Sequence, residues 1–206
     1  MPDYARVVLV HLDKIDTDDA VSLDHYLDAS EKKQLKKMTN DSKKHTFRMC
    51  RFVAKQLLAE FFDLNIKELH FEYTSRGKPF FSVENIHFNI SHSGNLALIG
   101  VSLFPIGVDI EQIKMNRDFK GLSDKILSED EQKWVFEEDA EQRFYVLWTL
   151  KEARLKCDGT GIDGHFPTAV FDDEQGWTYD GYHVISGCIE KYENYACTIC
   201  IQSEEK

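Results

Sequence analysis

The stretch Ile86-His87-Phe88-Asn89-Ile90-Ser91-His92-Ser93-Gly94-Asn95-Leu96-Ala97-Leu98-Ile99-Gly100-Val101 holds two β-type runs, 86–91 and 96–101, joined by the tight connection Ser93-Gly94-Asn95. A third run, 106–110, follows. Upstream, residues 46–62 place Phe47, Cys50, Val53, Ala54, Leu57, Leu58 and Phe61 at helical spacing, so this segment reads as an amphipathic helix. Before it stand a strand over 5–12 and a helix start at Ser30, with Glu31 in the first turn. Between helix and strands, 69–74 alternates and Arg76-Gly77-Lys78-Pro79 is a turn. Downstream, 112–140 reads as mixed helix and loop, 142–156 as a second strong helix, and the tail as strands near 169–172, 183–189 and 195–201. The order strand, helices, strands, then helices, strands predicts an α+β fold of two similar, pseudo-symmetric halves, residues 1–106 and 107–206. No Ser- or Pro-rich linker separates them, so the halves should share an interface.

With 42% apolar residues in 206, the chain can bury an ordinary core. No N-terminal stretch has the basic start and long apolar run of a signal peptide, and the most apolar region, 96–108, is broken by Ser102 and Pro105. A soluble cytoplasmic protein is the expectation. Five cysteines and no export signal point to reduced thiols. Cys197 and Cys200 form a C-x-x-C pair, but their surroundings read as a strand, where positions three apart face opposite ways, and no second pair completes a zinc site.

The net charge of −11 argues against nucleic acid as a partner. Its distribution is uneven: residues 31–55 carry nine Lys or Arg against Glu31 and Asp41. Such a local excess in an acidic chain fits either a solvated helix face or a site for a small polyanion.

Three clusters carry chemistry. In Gly107-Val108-Asp109-Ile110-Glu111, Asp109 and Glu111 share one strand face while Val108 and Ile110 face the core. Two such carboxylates suit a hard cation such as Mg²⁺, and equally a solvated acidic strand face. In Trp148-Thr149-Leu150-Lys151-Glu152-Ala153-Arg154-Leu155-Lys156, residues 148, 152 and 156 stack on one helix face. Glu152 there is either a third carboxylate or half of a plain helix ion pair with Lys156. In Asn89-Ile90-Ser91-His92-Ser93, polar groups close a strand at a turn. A hydrolase would use Ser91 or Ser93 with His92, but adjacent residues rarely face each other and no G-x-S-x-G elbow is present.

Taken in order, Gly77-Lys78-Pro79, Asn89–Ser93, Gly107–Glu111 and Trp148-x-x-Lys151-Glu152-Ala153-x-x-Lys156 resemble the Sfp-type phosphopantetheinyl transferase family, whose motifs occur in this order and at similar spacing. The resemblance implies a monomer of two pseudo-symmetric α+β halves. It implies a Mg²⁺-dependent enzyme that moves the 4′-phosphopantetheine arm of coenzyme A to a serine of an acyl or peptidyl carrier protein, releasing adenosine 3′,5′-bisphosphate. A catalytically inactive CoA- or carrier-binding module of the same fold is the alternative, against which the intact carboxylate and lysine set argues. By position, Asp109, Glu111 and Glu152 correspond to the metal ligands. Lys156 corresponds to the lysine beside the reacting phosphate, and Glu152 is also the proton acceptor, directly or through a water. Ser91, His92 and Lys78 correspond to CoA contacts. The basic segment corresponds to the region that binds the CoA 3′-phosphate, with Lys32, Lys36, Arg48 and Arg51 as candidates, and Glu129 to a further acidic residue near the active site. The segment 115–127, with Met115, Phe119, Leu122 and Ile126 among Arg117, Lys120 and Lys125, is either a carrier-docking surface or a plain helix packed on the core.

Overall fold

In the computed structural model, which describes residues 3–14, 22–75, 77–81, 83, 85–114, 119–161, 165–189 and 191–203, the chain opens with strand β1 (Ala5–His11) and helices α1 (Ala29–Lys37) and α2 (Asp41–Phe62). A minimal pair, β2 (Glu72–Tyr73) and β3 (Pro79–Phe80), leads to the hairpin β4 (His87–Ser93) and β5 (Leu96–Ser102). The second half begins at β6 (Ile106–Gln112) and continues through α3 (Lys120–Ile126), α4 (Glu129–Glu137) and α5 (Ala140–Asp158). It ends with the short pair β7 (Val170–Asp172) and β8 (Gly176–Thr178) and the hairpin β9 (Tyr182–Ile189) and β10 (Tyr192–Gln202). This is an α+β fold. Arg76 of the predicted turn, and Met115 and Arg117 of the predicted docking segment, lie outside the described residues.

Two three-stranded antiparallel sheets carry the fold, one ordered β1-β5-β4 and the other β6-β10-β9. In each, the last strand of the half lies in the centre. Helix α2 packs Met49, Ala54 and Leu58 against Ile99 and Val101 of the first sheet. In the second half, α5 places Leu147 and Leu150 in a core with Val135 of α4 and Ala196 of β10. A third apolar cluster joins the sheets, with Leu96 and Leu98 against Ile106, Val108 and Ile110.

Helix starts explain where the sequence expectation is shifted. Helix α1 is capped by Asp28, not Ser30: Asp28 Oδ1 accepts the Glu31 amide at 2.8 Å and Glu31 Oε2 accepts the Asp28 amide at 2.9 Å. Helix α2 starts five residues before the expected 46, because Asn40 Oδ1 takes the Lys43 amide at 2.9 Å and sets the N-cap there. Helix α4 repeats the capping box with Ser128 and Glu131.

Each capping-box glutamate is fully buried and pairs with a buried lysine of the next long helix. Glu31 meets Lys55 at 2.7 Å, and Glu131 meets Lys151 at 2.8 Å. Each lysine also donates to a backbone carbonyl, Tyr26 O at 2.9 Å and Pro167 O at 2.6 Å. The same device thus fixes helix to helix in both halves. Gly107 sets the contact between β6 and α5: a Cβ there would overlap the Ala153 carbonyl and the Cys157 amide. Cys197 and Cys200 lie on β10 opposite Ile110 and Gly107, and all five cysteines are free thiols.

Candidate active site

Strand alternation turns Val108 and Ile110 into the inter-sheet core, both wholly buried, and leaves Asp109 and Glu111 on the other face. Helical period puts Trp148, Glu152 and Lys156 on the face of α5 that meets them. Together with Ser91 and His92 of β4 they line one cavity of about 280 Å³. Seven of the residues singled out in the sequence, from three separated motifs, therefore meet in one place.

Lys156 Nζ reaches Asp109 Oδ1 at 2.5 Å and Ser91 Oγ at 3.0 Å. Burial, more than any other influence, pushes the carboxyls of Glu111 and Glu152 above their ordinary range. The neighbouring carboxylates add to the shift in both, and Lys156 opposes it in both. Asp109 is 2% exposed, and its Oδ2 is buried without a hydrogen-bond partner. Three crowded carboxylates with one unsatisfied oxygen are the donor chemistry that a hard divalent cation satisfies. Among the described residues no group of three or more His, Cys, Asp or Glu side chains is poised, as it stands, to hold a metal ion. Charge is offset here by the Lys156 ammonium.

The β4 motif does more than line the cavity. Asn89 Oδ1 accepts the Val108 amide at 2.9 Å, Ser91 Oγ the Ile110 amide at 3.4 Å, and Ser93 Oγ the Gln112 amide at 3.1 Å. Alternate side chains of β4 thereby satisfy alternate amides of β6 and stitch the halves together. Each serine also donates to a carboxylate, Ser91 to Asp109 Oδ1 and Ser93 to Glu111 Oε2, both at 2.7 Å. Ser91 is thus engaged by three partners within the protein. His92, between the serines, faces the other way. Partial loss of solvent around its ring and the nearby Lys156 hold its pKa below the ordinary histidine value.

His92 and Ile90 also border a larger cavity of about 590 Å³, whose walls include Lys43, Thr46, Phe47, Arg51 and Pro79. Of the basic candidates, Arg51 alone lies on it. Its guanidinium sits 5.0 Å over Phe47 and 5.8 Å over Phe71, with Nε 3.4 Å from Glu31. Arg48 is tied to Asp24 by contacts of 2.6 and 3.2 Å. Lys32 and Lys36 are exposed on α1 and do not border either cavity. Lys78 borders neither; its ammonium is bonded to the Lys156 carbonyl at the end of α5. Glu129 is exposed in the first turn of α4, and its neighbour Glu131 is the buried acid. Lys43 and Thr46 were not singled out in the sequence. Their signal was the spacing of Lys43, Thr46, Phe47 and Arg51, which is that of one helix face.

On the opposite side, Glu111 and Trp148 also border an aromatic cavity of about 270 Å³ with Phe119, Leu122, Phe144 and Tyr145. Within the predicted docking segment, Phe119 and Ile126 are buried, and Phe119 stacks 4.8 Å from Phe144, so these two belong to the core; Leu122 is exposed.

Two family models divide the chain between them. Residues 105–200 match the 4′-phosphopantetheinyl transferase superfamily, and residues 17–103 match the model described as 4′-phosphopantetheinyl transferase, N-terminal. Among curated proteins, the chain is 33% identical to the 4′-phosphopantetheinyl transferase psf-1 of Bacillus pumilus over 52% of its own length and 47% of the relative. It is 33% identical to 4′-phosphopantetheinyl transferase HetI of Nostoc over 54% and 51% of the two chains. It is 28% identical to 4′-phosphopantetheinyl transferase Sfp of Bacillus subtilis over 53% and 50%. The chain thus spans about half the length of these curated relatives. The two models meet at residues 103–105, in the connection from β5 to β6, and together they cover most of the chain, which belongs to the 4′-phosphopantetheinyl transferase superfamily.

Proposed function

We propose that the protein transfers the 4′-phosphopantetheine arm of coenzyme A to a serine of an acyl or peptidyl carrier protein. One observation carries this reading: a carboxylate- and lysine-lined cavity lies between a basic cavity and an aromatic one, and shares residues with both. CoA has the matching sequence of parts, with a pyrophosphate between a nucleotide bearing a 3′-phosphate and a long, less polar arm. Lys43, Arg51 and His92 hold the 3′-phosphate. The aromatic cavity receives the arm and the edge of the carrier.

The carrier serine oxygen attacks the phosphorus nearest the pantetheine. The new Ser O–P bond forms as the P–O bond to adenosine 3′,5′-bisphosphate breaks. Glu152, raised towards the working pH by burial, accepts the serine proton, directly or through a water. Lys156 Nζ offsets charge gathering on the phosphate. Positioning and charge neutralisation dominate such transfers. Asp109, Glu111 and Glu152 would hold Mg²⁺, which when bound neutralises the pyrophosphate and eases departure of the leaving group.

The matched capping-box and buried-lysine pairs support two pseudo-symmetric halves. A monomer is proposed, because both sides of the cavity come from one chain. No helix among the described residues is long and apolar enough to cross a membrane, which fits the proposed cytoplasmic location. Incubating apo-carrier proteins of fatty-acid, polyketide and peptide synthesis with the protein, CoA and Mg²⁺ should give, by intact mass, a carrier heavier by one phosphopantetheine. No mass gain on any of them, with CoA bound, would leave a binding module instead.

A further inference from the structure

The three proposed metal ligands all belong to the C-terminal half, yet the hydrogen bonds that orient two of them come from the N-terminal half. Ser91 and Ser93 are two apart on β4, and Asp109 and Glu111 are two apart on β6. Both pairs are bonded at the same offset of 18 residues and the same 2.7 Å. This is one device used twice, set by the period of two that both strands share.

Ser93 is the more telling member, because Ser91 also contacts Lys156. A hydroxyl has one proton to give and lone pairs to accept. Ser93 gives its proton to Glu111 Oε2 and takes the Gln112 amide at 3.1 Å on its oxygen. The backbone of β6 thereby fixes the direction in which the proton points, and the proton fixes one oxygen of Glu111. Glu111 itself lines the cavity. Asn89, the third rung of the seam, accepts the Val108 amide, and among the described residues no carboxylate bond accompanies it. The two serines therefore carry a task that the seam alone does not require.

We infer that Ser93 is a positioning residue that holds Glu111 for divalent-metal binding, so that β4 of one half sets the metal affinity of ligands carried by the other. The inference rests on the metal reading above. Hydrogen-bond partners of metal ligands commonly change affinity by about 10–100-fold when removed. Ser93→Ala is expected to weaken the metal about tenfold.

The test is a Mn²⁺ titration followed by the electron paramagnetic resonance of the free ion, with CoA saturating and no carrier protein. Asp109→Ala supplies the baseline for binding outside the protein site. Ser93→Ala, and Ser93→Cys should Ala fold poorly, are expected to raise the Mn²⁺ Kd about tenfold; Ser93→Thr, which keeps the hydroxyl, should stay near wild type. Asn89→Ala should loosen the seam, seen as a lower Tm, and leave the Mn²⁺ Kd unchanged. Ser93→Ala binding Mn²⁺ as wild type does would overturn the inference and spare the metal reading. Equal weakening in Asn89→Ala and Ser93→Ala would also overturn it, assigning the effect to the seam. Wild type binding Mn²⁺ no better than Asp109→Ala would sink the metal reading itself, and the inference with it.

Discussion

Lys156 Nζ is held 2.5 Å from Asp109 Oδ1, a contact between a helix and a strand 47 residues apart in sequence. Removing the carboxylate takes the partner from Lys156 and one ligand from the proposed metal site. Asp109→Ala should therefore lower kcat by about 10³-fold, with a much smaller change in KM for CoA, because the loss falls on charge in the transition state. Glu152→Ala should behave alike, and both variants should fold. EDTA should stop the wild type, with Mg²⁺ or Mn²⁺ restoring it. Full activity in EDTA, or a normal kcat in Asp109→Ala, contradicts the site.

The raised Glu111 and Glu152 give stability a sign with pH. Both carboxyls hold protons more tightly in the folded state, so their contribution is fully present below the unfolded value near 4.5. It is lost as pH rises through the folded values. Without metal, Glu152→Gln should raise Tm by roughly a few degrees at pH 7.5, with a gain that shrinks towards pH 4.5. Mg²⁺ should raise the wild-type Tm at pH 7.5 and leave it unchanged below pH 4.5. Scanning calorimetry across this range checks both; a Glu152→Gln gain that does not vary with pH assigns the effect elsewhere.

His92 borders both the central and the basic cavities. His92→Ala should raise KM for CoA about tenfold or more, and for dephospho-CoA much less, since a charge-assisted phosphate contact contributes roughly 1.5–3 kcal/mol. Lys43→Ala is the companion variant. Arg51→Ala is a poorer probe, because Arg51 also packs over Phe47 and Phe71. Equal losses for the two substrates would show that this cavity does not read the 3′-phosphate.

Lys151→Met should cost about 3–5 kcal/mol in urea unfolding, because it leaves the buried Glu131 without its cation. Adding Glu131→Leu should recover part of this. The Ala169 amide and the Pro167 carbonyl, which the pair now satisfies, stay unpaired. A single variant as stable as wild type would mean that the pair is not strongly coupled.

Carrier docking is best probed at Leu122, which is exposed beside the aromatic cavity. Leu122→Asp should raise KM for the carrier about tenfold, with a smaller rise in KM for CoA, whose arm shares the cavity, and Tm unchanged. Phe119→Ala would instead disturb the core around Phe144. An unchanged carrier KM in Leu122→Asp removes this face from the docking surface.

Both long helices were legible from their period, and the three strands around 86–112 from short β-type runs bounded by turn residues. The same logic joined Asp109 to Glu111 and Glu152 to Lys156. The fate of the basic residues was not legible. Whether a lysine or arginine is free or already neutralised depends on acids such as Asp24 and Glu31, which tertiary packing brings within 2.6–3.4 Å. Lys151 and Lys156 show the same limit. Both sit in one helical motif, yet one is 1% exposed and paired with Glu131, while the other opens onto the cavity. Strand β8 also went unread, because three residues, Gly176-Trp177-Thr178, are too few to show alternation.

Gly107 leaves no clearance between β6 and α5. Strand and helix touch backbone to backbone at the Ala153 carbonyl, next to Glu152, and two residues from Asp109, so the gap between those carboxylates is gauged by main chain rather than by side chains. Substitutions in the surrounding core can change how firmly the layers are held, but not this gauge. A methyl group at 107 would act as a shim: it would lift α5 and move Glu152 away from both strand carboxylates at once. The span between strand and helix is therefore the fixed dimension of this active site, and its adaptable parts are the rims of the two flanking cavities.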